Sequence, residues 1–280
     1  MIELRYFNAY DASIFLLWAF IMLKKFMYTA ILFVSFTSLV NATIVEFQTS
    51  EGNFQVNLFD QGTPATVANF LQYVDEQHYT NSVVHRVASG FVVQGGGFTF
   101  EGDWPLERIE TNPAVINEPV YSNVRGTISM AKLGGDPNSA TDQWFFNLKN
   151  NNTGTANGGN LDLQNGGFTA FGQVIGDGMT VVEKIAELEL CQSIPMTGYS
   201  SESCTDLATP GLENFVVINQ IVIIDSSEAT AADLNPTKNT LIGDSGNSGD
   251  SGENKSSGGT VFWLSLFSLL MISVRRFTLK

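Results

Sequence analysis

Residues 84–99 read VHRVASGFVVQGGGFT, and this stretch decides how the rest of the chain is interpreted. Strand-like sequence at 82–86 overlaps its start, and a second strand-like run lies within it at 91–94; apolar side chains alternate or run together in both. The three glycines that follow are not part of Gly-x-x-x-x-Gly-Lys-Ser/Thr, nor of Gly-x-Gly-x-x-Gly before a helix. We therefore interpret them as residues that let the backbone turn, not as a phosphate-binding loop.

The sequence on both sides of this stretch predicts a mainly β domain. Six further strand-like runs lie at 43–48, 54–59, 126–131, 143–148, 170–174 and 215–224. Two amphipathic segments predict helices, and 150–167, dense in Asn and Gly, predicts a loop. Many strands, two helices and no β-α-β alternation favour a closed or nearly closed barrel over a doubly wound sheet.

Each predicted helix has an apolar face. The first begins with Thr63 as N-cap and Pro64 at the first helical position, and the second covers about 179–190. The residues expected to face inward recur at helical spacing; they are Val67, Phe70, Leu71 and Val74 in the first helix, and Val182, Ile185, Ala186 and Leu190 in the second.

The spacing within 84–99 resembles the signature of the cyclophilins: His85-Arg86, then Gly90-Phe91, then Gln94-Gly95-Gly96. Residues 125–131, 139–147, 160–162 and 168–174 resemble other blocks of that family in the same order. The resemblance covers 43–225. It implies a closed eight-stranded antiparallel barrel capped by two α-helices, and the activity of a peptidyl-prolyl cis–trans isomerase.

The resemblance also implies the site. Arg86 matches the catalytic arginine, and Gln94 matches the glutamine that orients it. The positions that match the family's substrate-binding residues are His85, Phe91, Val92, Ala131, Lys132, Gln143, Phe145, Leu161 and Phe168. Rotation about an X–Pro bond breaks no bond, so the resemblance implies neither a cofactor nor a metal.

Four positions depart from the family pattern. Val92 replaces the usual Met and stays apolar, and Phe168 replaces a His or Tyr but keeps a ring. Lys132 stands where Asn is common, and we expect its contact with substrate to be made by the backbone. Asn160 replaces the Trp or Phe that contributes to cyclosporin binding, so we expect weak binding of that drug.

Charge and cysteine usage limit the classes of function. The chain has 28 acidic and 14 basic residues, a net charge of −14, which repels the phosphates of nucleic acids. Cys191 and Cys204 fit neither a CxxC motif nor a four-ligand zinc site. In an exported protein, a single disulfide is the simplest interpretation, with two free thiols as the alternative.

The N-terminal region 1–42 has the order of a secretory signal peptide. Lys24-Lys25 precede an apolar run from Tyr28 to Val40, and Val40-Asn41-Ala42 offers small residues before a cleavage point. Translation could start at Met22 or Met27 instead of Met1. The alternative is an uncleaved membrane anchor.

The C-terminal region divides into a linker and a tail. Residues 226–259 are acidic and rich in Ser and Gly, which predicts a flexible linker between the domain at 43–225 and the tail at 260–280. Gly258-Gly259, the apolar helix predicted at 261–274 and Arg275-Arg276 resemble the GlyGly-CTERM sorting tail of some Gram-negative bacteria. A retained anchor is the alternative. Either one predicts a periplasmic or cell-surface domain with at least transient membrane attachment.

These observations leave three candidate functions. The first is an isomerase that helps exported, proline-containing polypeptides to fold, acting as a monomer and without nucleic acid. The second is a binding module of the same fold without appreciable turnover, and the third is a surface adhesion or scaffold role that depends on the tail. Arg86 argues against the second, because divergent binders often lose that residue.

Overall fold

The fold is given by a computed structural model that describes residues 43–242, except 104, 155–158, 201, 203, 205–209 and 228–233. The predicted signal region, the end of the linker and the tail lie outside these residues. Within the part described, no helix is both long enough and apolar enough to cross a membrane. The helices and strands, in chain order, are β1 (Ile44–Thr49), β2 (Gly52–Leu58), α1 (Pro64–Asp75), β3 (Ser82–Val83), β4 (Arg86–Ala88), β5 (Val92–Gly95), β6 (Phe98–Thr99), β7 (Glu107–Arg108), β8 (Thr127–Met130), β9 (Trp144–Asn147), β10 (Ala170–Ile175), α2 (Gly178–Ala186), β11 (Glu189–Cys191), β12 (Ile194–Met196) and β13 (Val217–Asp225).

Eleven of these strands form one curled antiparallel sheet, in the order β4-β5-β9-β8-β10-β2-β1-β13-β3-β6-β7. Strands β11 and β12 form a separate hairpin. The mainly β class and the two helices confirm the prediction. The closed barrel of eight strands is not confirmed, because β4 and β7 end the described sheet without pairing with each other.

The described sheet has more strands than the eight predicted, partly because some of its strands are very short. Strands β3, β6 and β7 contain two residues each, too few to show alternation in the sequence. The edge strand β4 is covered in part by the β11–β12 hairpin, since the Val87 backbone N–H donates to the Ser193 carbonyl oxygen at 2.6 Å. Such cover protects an edge strand without closing the sheet.

The core is built on aromatic side chains from several strands. Phe47 of β1 lies with its ring centroid 5.0 Å from that of Phe54, 5.2 Å from Trp144 and 5.4 Å from Phe146. Helix α1 joins the same cluster through Phe70. Phe47 stacks on Phe54 and meets Trp144 and Phe146 edge to face, and aromatic pairs in either geometry contribute about 1 kcal/mol each beyond the area that they bury.

The apolar faces of the helices largely follow the prediction. Val67, Phe70 and Val74 of α1 and Val182 and Ile185 of α2 are buried. Helix α2 ends earlier than the sequence predicts, at Ala186, and the following residues enter β11.

The N-terminus of α1 is capped by a distant side chain. Thr63 makes no side-chain capping bond; its hydroxyl donates to the Phe59 carbonyl oxygen instead. The carboxylate of Glu118 accepts from the backbone N–H groups of Ala65, at 3.2 Å, and Thr66, at 2.8 Å. A carboxylate there satisfies free donors and interacts favourably with the helix dipole.

Part of the predicted flexible linker is ordered against the domain. The Asn239 backbone N–H donates to the Val120 carbonyl oxygen at 2.9 Å, and Ser122 N–H donates to the Thr237 carbonyl oxygen at 2.8 Å. Residues 234–242, which fall within the predicted linker at 226–259, thus exchange backbone hydrogen bonds with the segment 120–122.

Cys191 and Cys204 form the predicted disulfide, with their Cα atoms 5.6 Å apart. Cys191 is buried in a small apolar cluster with Val83, Met196 and Phe215. The cross-link spans a sequence separation of 13 residues, and Cys191 of β11 packs in the same cluster as Val83 of β3 and Val217 of β13.

We expect reduction of this disulfide to lower the free energy of unfolding by roughly 3 kcal/mol, because the reduced unfolded chain gains conformational freedom. Urea unfolding with and without reductant measures the difference. The Cys191→Ser/Cys204→Ser variant serves as the control, since reductant should not change its midpoint. Two alkylatable thiols in unreduced protein would contradict the bond.

Candidate functional site

Arg86 lies on the edge strand β4 and is held by a chain of two glutamines. The β4–β5 register places Arg86 opposite Gln94, and the guanidinium Nη1 donates to Gln94 Oε1 at 3.2 Å. Gln94 Nε2 donates in turn to Gln143 Oε1 at 2.9 Å. None of the ion pairs found among the described residues includes Arg86. An exposed cation is therefore kept oriented by amide groups and not neutralised by a carboxylate.

The three glycines after Gln94 bring β5 close to β9. A Cβ on Gly95 would lie 2.7 Å from the Trp144 ring, and one on Gly97 would lie 2.5 Å from Gln143. Gly96 has a φ of +94°, and a Cβ there would approach the Asp142 carbonyl oxygen at 2.8 Å. These close approaches explain why all three positions are glycine, since any side chain there would clash. They also position Gln143 within reach of Gln94.

Beside this chain lies an apolar cluster, which we call the pocket cluster. Its buried floor consists of Val92, Phe145 and Leu161. Around the floor pack four half-buried side chains, Ala88, Phe91, Ala131 and Phe168. The structure thus brings together every apolar residue predicted for substrate binding. Ala88 was not predicted, since an alanine in a strand carries no signal that separates a pocket from a core.

The side chain of Lys132 has a structural role beside the backbone contact with substrate that the sequence predicts. Its ammonium donates to Asn117 Oδ1 at 3.1 Å and to the carbonyl oxygens of Asn165 at 2.9 Å and Gly167 at 2.7 Å. It also lies 4.8 Å from the centre of the Phe168 ring, a cation–π distance. Burial lowers the pKa of Lys132 to about 8, opposed by Asp136. The side chain therefore fastens the loop that carries Phe168.

This loop, residues 160–168, carries two members of the pocket cluster, and we call it the pocket loop. Asp162 Oδ1 accepts from Asn123 at its backbone N–H, at 2.7 Å, and at its side-chain amide, at 2.9 Å. The Leu161 N–H donates to the Asn151 carbonyl oxygen at 2.7 Å, and Asn151 Nδ2 donates to the Phe91 carbonyl oxygen at 3.0 Å. A buried polar network thus fixes both sides of the pocket.

Asn160 begins the pocket loop but is 1% exposed. Its Oδ1 accepts from the Asp162 N–H and its Nδ2 donates to the Gly154 carbonyl oxygen, both at 3.0 Å. The side chain organises the loop internally. In the sequence, Asn160 is marked only by its departure from the family pattern, and no local signal indicates this role.

His85, beside Arg86, stays neutral near pH 7. Its ring centroid lies 4.7 Å from that of Phe98, and burial of the imidazole lowers its pKa to about 4. A ring that does not ionise near neutral pH is suited to packing and not to proton transfer.

Comparison with known proteins gives a consistent result. The sequence profile described as Cyclophilin type peptidyl-prolyl cis-trans isomerase/CLD matches residues 44–201, which include every predicted substrate-binding position. Peptidyl-prolyl cis-trans isomerase A of Dickeya dadantii is 39% identical over 150 residues, 53% of this chain and 73% of that protein. Peptidyl-prolyl cis-trans isomerase B of Escherichia coli is 39% identical over 144 residues, 51% and 83% of the two chains. A crystal structure of a cyclophilin type peptidyl-prolyl cis-trans isomerase from Cryptosporidium parvum covers 66% of this chain and 98% of its own, with a TM-score of 0.44 and 21% identity.

The pKa of His85 predicts an acid-sensitive fold. Because the folded pKa, about 4, lies below the unfolded value of about 6.5, the unfolded state binds the proton first as the pH falls. Stability should therefore decrease between about pH 6.5 and pH 4, by roughly 3 kcal/mol from this residue.

Urea unfolding at several pH values, for the wild type and for His85→Gln, measures that loss. Carboxylates titrate in both proteins, so the difference between the two curves isolates His85. If the two proteins lose the same stability between pH 6.5 and pH 4, the buried neutral imidazole is not its cause.

Proposed function

This chain belongs to the family of cyclophilin-type peptidyl-prolyl cis–trans isomerases, and from that premise we propose that Arg86 catalyses the rotation while the pocket cluster holds the proline ring. The chain of hydrogen bonds from Arg86 through Gln94 to Gln143 is the observation that carries this proposal. It orients a cation on the strands β4, β5 and β9, which also carry Ala88, Val92 and Phe145 of the pocket cluster, and the proposed reaction needs both an oriented donor and an apolar surface for the ring.

The barrier to rotation arises from amide resonance. The C–N bond has partial double-bond character because the nitrogen lone pair is delocalised onto the carbonyl, and the barrier is about 18–20 kcal/mol. A donor directed at the prolyl nitrogen stabilises the twisted state, in which that lone pair is localised. Arg86 supplies this donor, and its planar fork keeps other N–H groups for Gln94. The donor thus interacts more strongly with the transition state than with the planar amide, as catalysis requires.

The pocket cluster contributes by fixing one side of the bond. Burying the ring methylenes of proline on Val92, Phe145 and Leu161 contributes about 2 kcal/mol, at about 0.8 kcal/mol for each methylene. With the ring immobilised, rotation is confined to the acyl side of the bond. Pairing between the substrate backbone and the segment around Ala131 would then orient that side.

We expect Arg86→Ala to reduce kcat/KM by on the order of 10²-fold, because the transition state loses its donor. Arg86→Lys is the matched control: it keeps the charge but loses the fork, so it should recover only part of the activity. A protease-coupled isomerisation assay on an Ala-Pro tetrapeptide measures both. Wild-type activity in Arg86→Ala, with unchanged circular dichroism, would refute the assignment.

We further propose that the enzyme acts on exported proteins in the periplasm or at the cell surface of a bacterium. The signal-like order of 1–42 and the Gly-Gly tail support this, and so does a disulfide, because disulfides persist in oxidising compartments. The acidic composition gives no support to a nucleic-acid role. Weak cyclosporin binding and a monomeric state remain predictions, the former supported by a buried Asn160 in place of an aromatic side chain.

The proposed processing has a direct test. We expect the mature protein to begin at Thr43 and to lack Arg275-Arg276, because signal peptidase would cut after Ala42 and the sorting protease near Gly258-Gly259. Mass spectrometry of the terminal peptides from native cells shows both ends. Recovery of a peptide with Arg275-Arg276 from the cell-surface form would mean that the tail is a retained anchor.

A further inference from the structure

Residues 234–242 follow the last strand and lie against the segment 120–122, and we call them the strap. Lys238 pairs with Tyr121 in an antiparallel bridge, which consists of the backbone hydrogen bonds that Ser122 N–H and Asn239 N–H donate across the pair. The Ser122 hydroxyl donates to the Lys238 carbonyl oxygen at 3.2 Å. The strap lies wholly outside the family match at 44–201, so the family comparison assigns it no role.

The strap contacts the pocket loop at two places. Asn239 Nδ2 donates to the Asp162 carbonyl oxygen at 3.0 Å. Ile242 lies against Gly167: a Cβ on that glycine would be 2.5 Å from Ile242 Cδ1. Asp162 directly follows Leu161, and Gly167 directly precedes Phe168. The strap therefore touches the residues next to the two pocket-cluster side chains that the loop carries.

The pocket loop has little regular secondary structure of its own to fix its conformation. Its only helical element among the described residues is a single 3₁₀ turn, Gln164–Gly166, in which Asn165 has a positive φ. Its shape depends on side chains from outside, chiefly Lys132, Asn117 and Asn123. Asn239 adds a donor from a fourth segment, at the Asp162 carbonyl oxygen.

We propose that the strap is a positioning element of the proline pocket, which sets the placement of Leu161 and Phe168 through Asn239 and Ile242 and thereby sets the affinity for substrate. The inference deepens the proposed function, since it rests on the pocket cluster being the proline site. Because neither strap residue reaches the rotating bond, its loss weakens the binding of ground state and transition state alike. KM rises and kcat changes little.

The test uses the full chain with Asn239→Asp. This change keeps an oxygen that can accept from the Leu241 N–H but replaces the donor to Asp162 with a second acceptor. The variant loses one hydrogen bond and places a carboxylate oxygen opposite the Asp162 carbonyl oxygen. We therefore expect KM to rise about three- to tenfold and kcat to stay within about twofold of the wild-type value. Asn239→Ala, which adds no charge, should shift KM in the same direction.

Lys238→Ala is the matched control. It removes an ammonium that lies 5.6 Å from the Tyr121 ring centre but keeps the backbone pairing of the strap, so KM should stay at the wild-type value. An unchanged KM in both Asn239 variants would overturn the proposal. So would an equal KM increase in Lys238→Ala, since the effect would then be general destabilisation.

A second measurement does not depend on turnover. The Phe168 N–H donates to the Leu161 carbonyl oxygen at 2.8 Å, and the Leu161 N–H to Asn151. Hydrogen exchange at these two amides should be faster in Asn239→Asp than in wild type, and unchanged in Lys238→Ala. Equal exchange in all three proteins refutes the positioning role. The catalytic assignment is tested separately: if Arg86→Ala keeps full activity while Asn239→Asp exchanges faster, the strap holds the loop as proposed but Arg86 is not the catalytic residue.

Discussion

The chain of hydrogen bonds from Arg86 through Gln94 to Gln143 can form only if three strands keep one register. Strand β4 must place Arg86 opposite Gln94, and β5 must place Gln94 opposite Phe145 of β9. A slip of one residue in either pair would turn these side chains to the other face of the sheet. The close contact between Gly95 and Trp144 opposes such a slip, because any larger residue would clash with the ring. The aromatic core therefore maintains the geometry of an exposed arginine.

The conformation of the pocket is fixed by a different kind of interaction from the register of the sheet. Its floor is apolar, but the pocket loop, which supplies one residue of the floor and one of the surrounding side chains, is held by buried polar groups such as Asp162 and Asn123. A buried polar group is costly unless it is paired, so only loop conformations that satisfy these groups are stable. The network thus restricts the loop to one arrangement. Apolar contacts alone would not do so, because they are non-directional.

The parts of the molecule that the sequence predicts are those with periodic patterns. Long strands such as β1 and β13, and the inward faces of both helices, follow from alternation and from the spacing of Val67 and Phe70. The placement of Arg86 beside the pocket cluster needed the family resemblance, since periodicity says nothing about which strands are neighbours. What the sequence did not show is the side-chain role of Glu118, which caps α1, of Lys132, which holds the pocket loop, and of Asn239 in the strap. Each is a single polar side chain bonded to backbone far away in the chain, and no local pattern in the sequence marks such a contact.

The pairing of β1 with β13 has a consequence for how the molecule acquires its structure. Ile44 pairs with Asp225 and Thr49 with Ile218, so the strand at the start of the domain meets the strand at its end. Loop-closure entropy opposes contacts between residues so far apart in sequence, and folds rich in them form slowly. During synthesis, β1 has β2 on one side but lacks its other neighbour until residue 225 has been made. A chain of this topology completes its sheet only after its last strand is available, which leaves the sheet open for as long as synthesis of the domain continues. An enzyme that speeds slow steps in the folding of other proteins thus has a slow topology of its own.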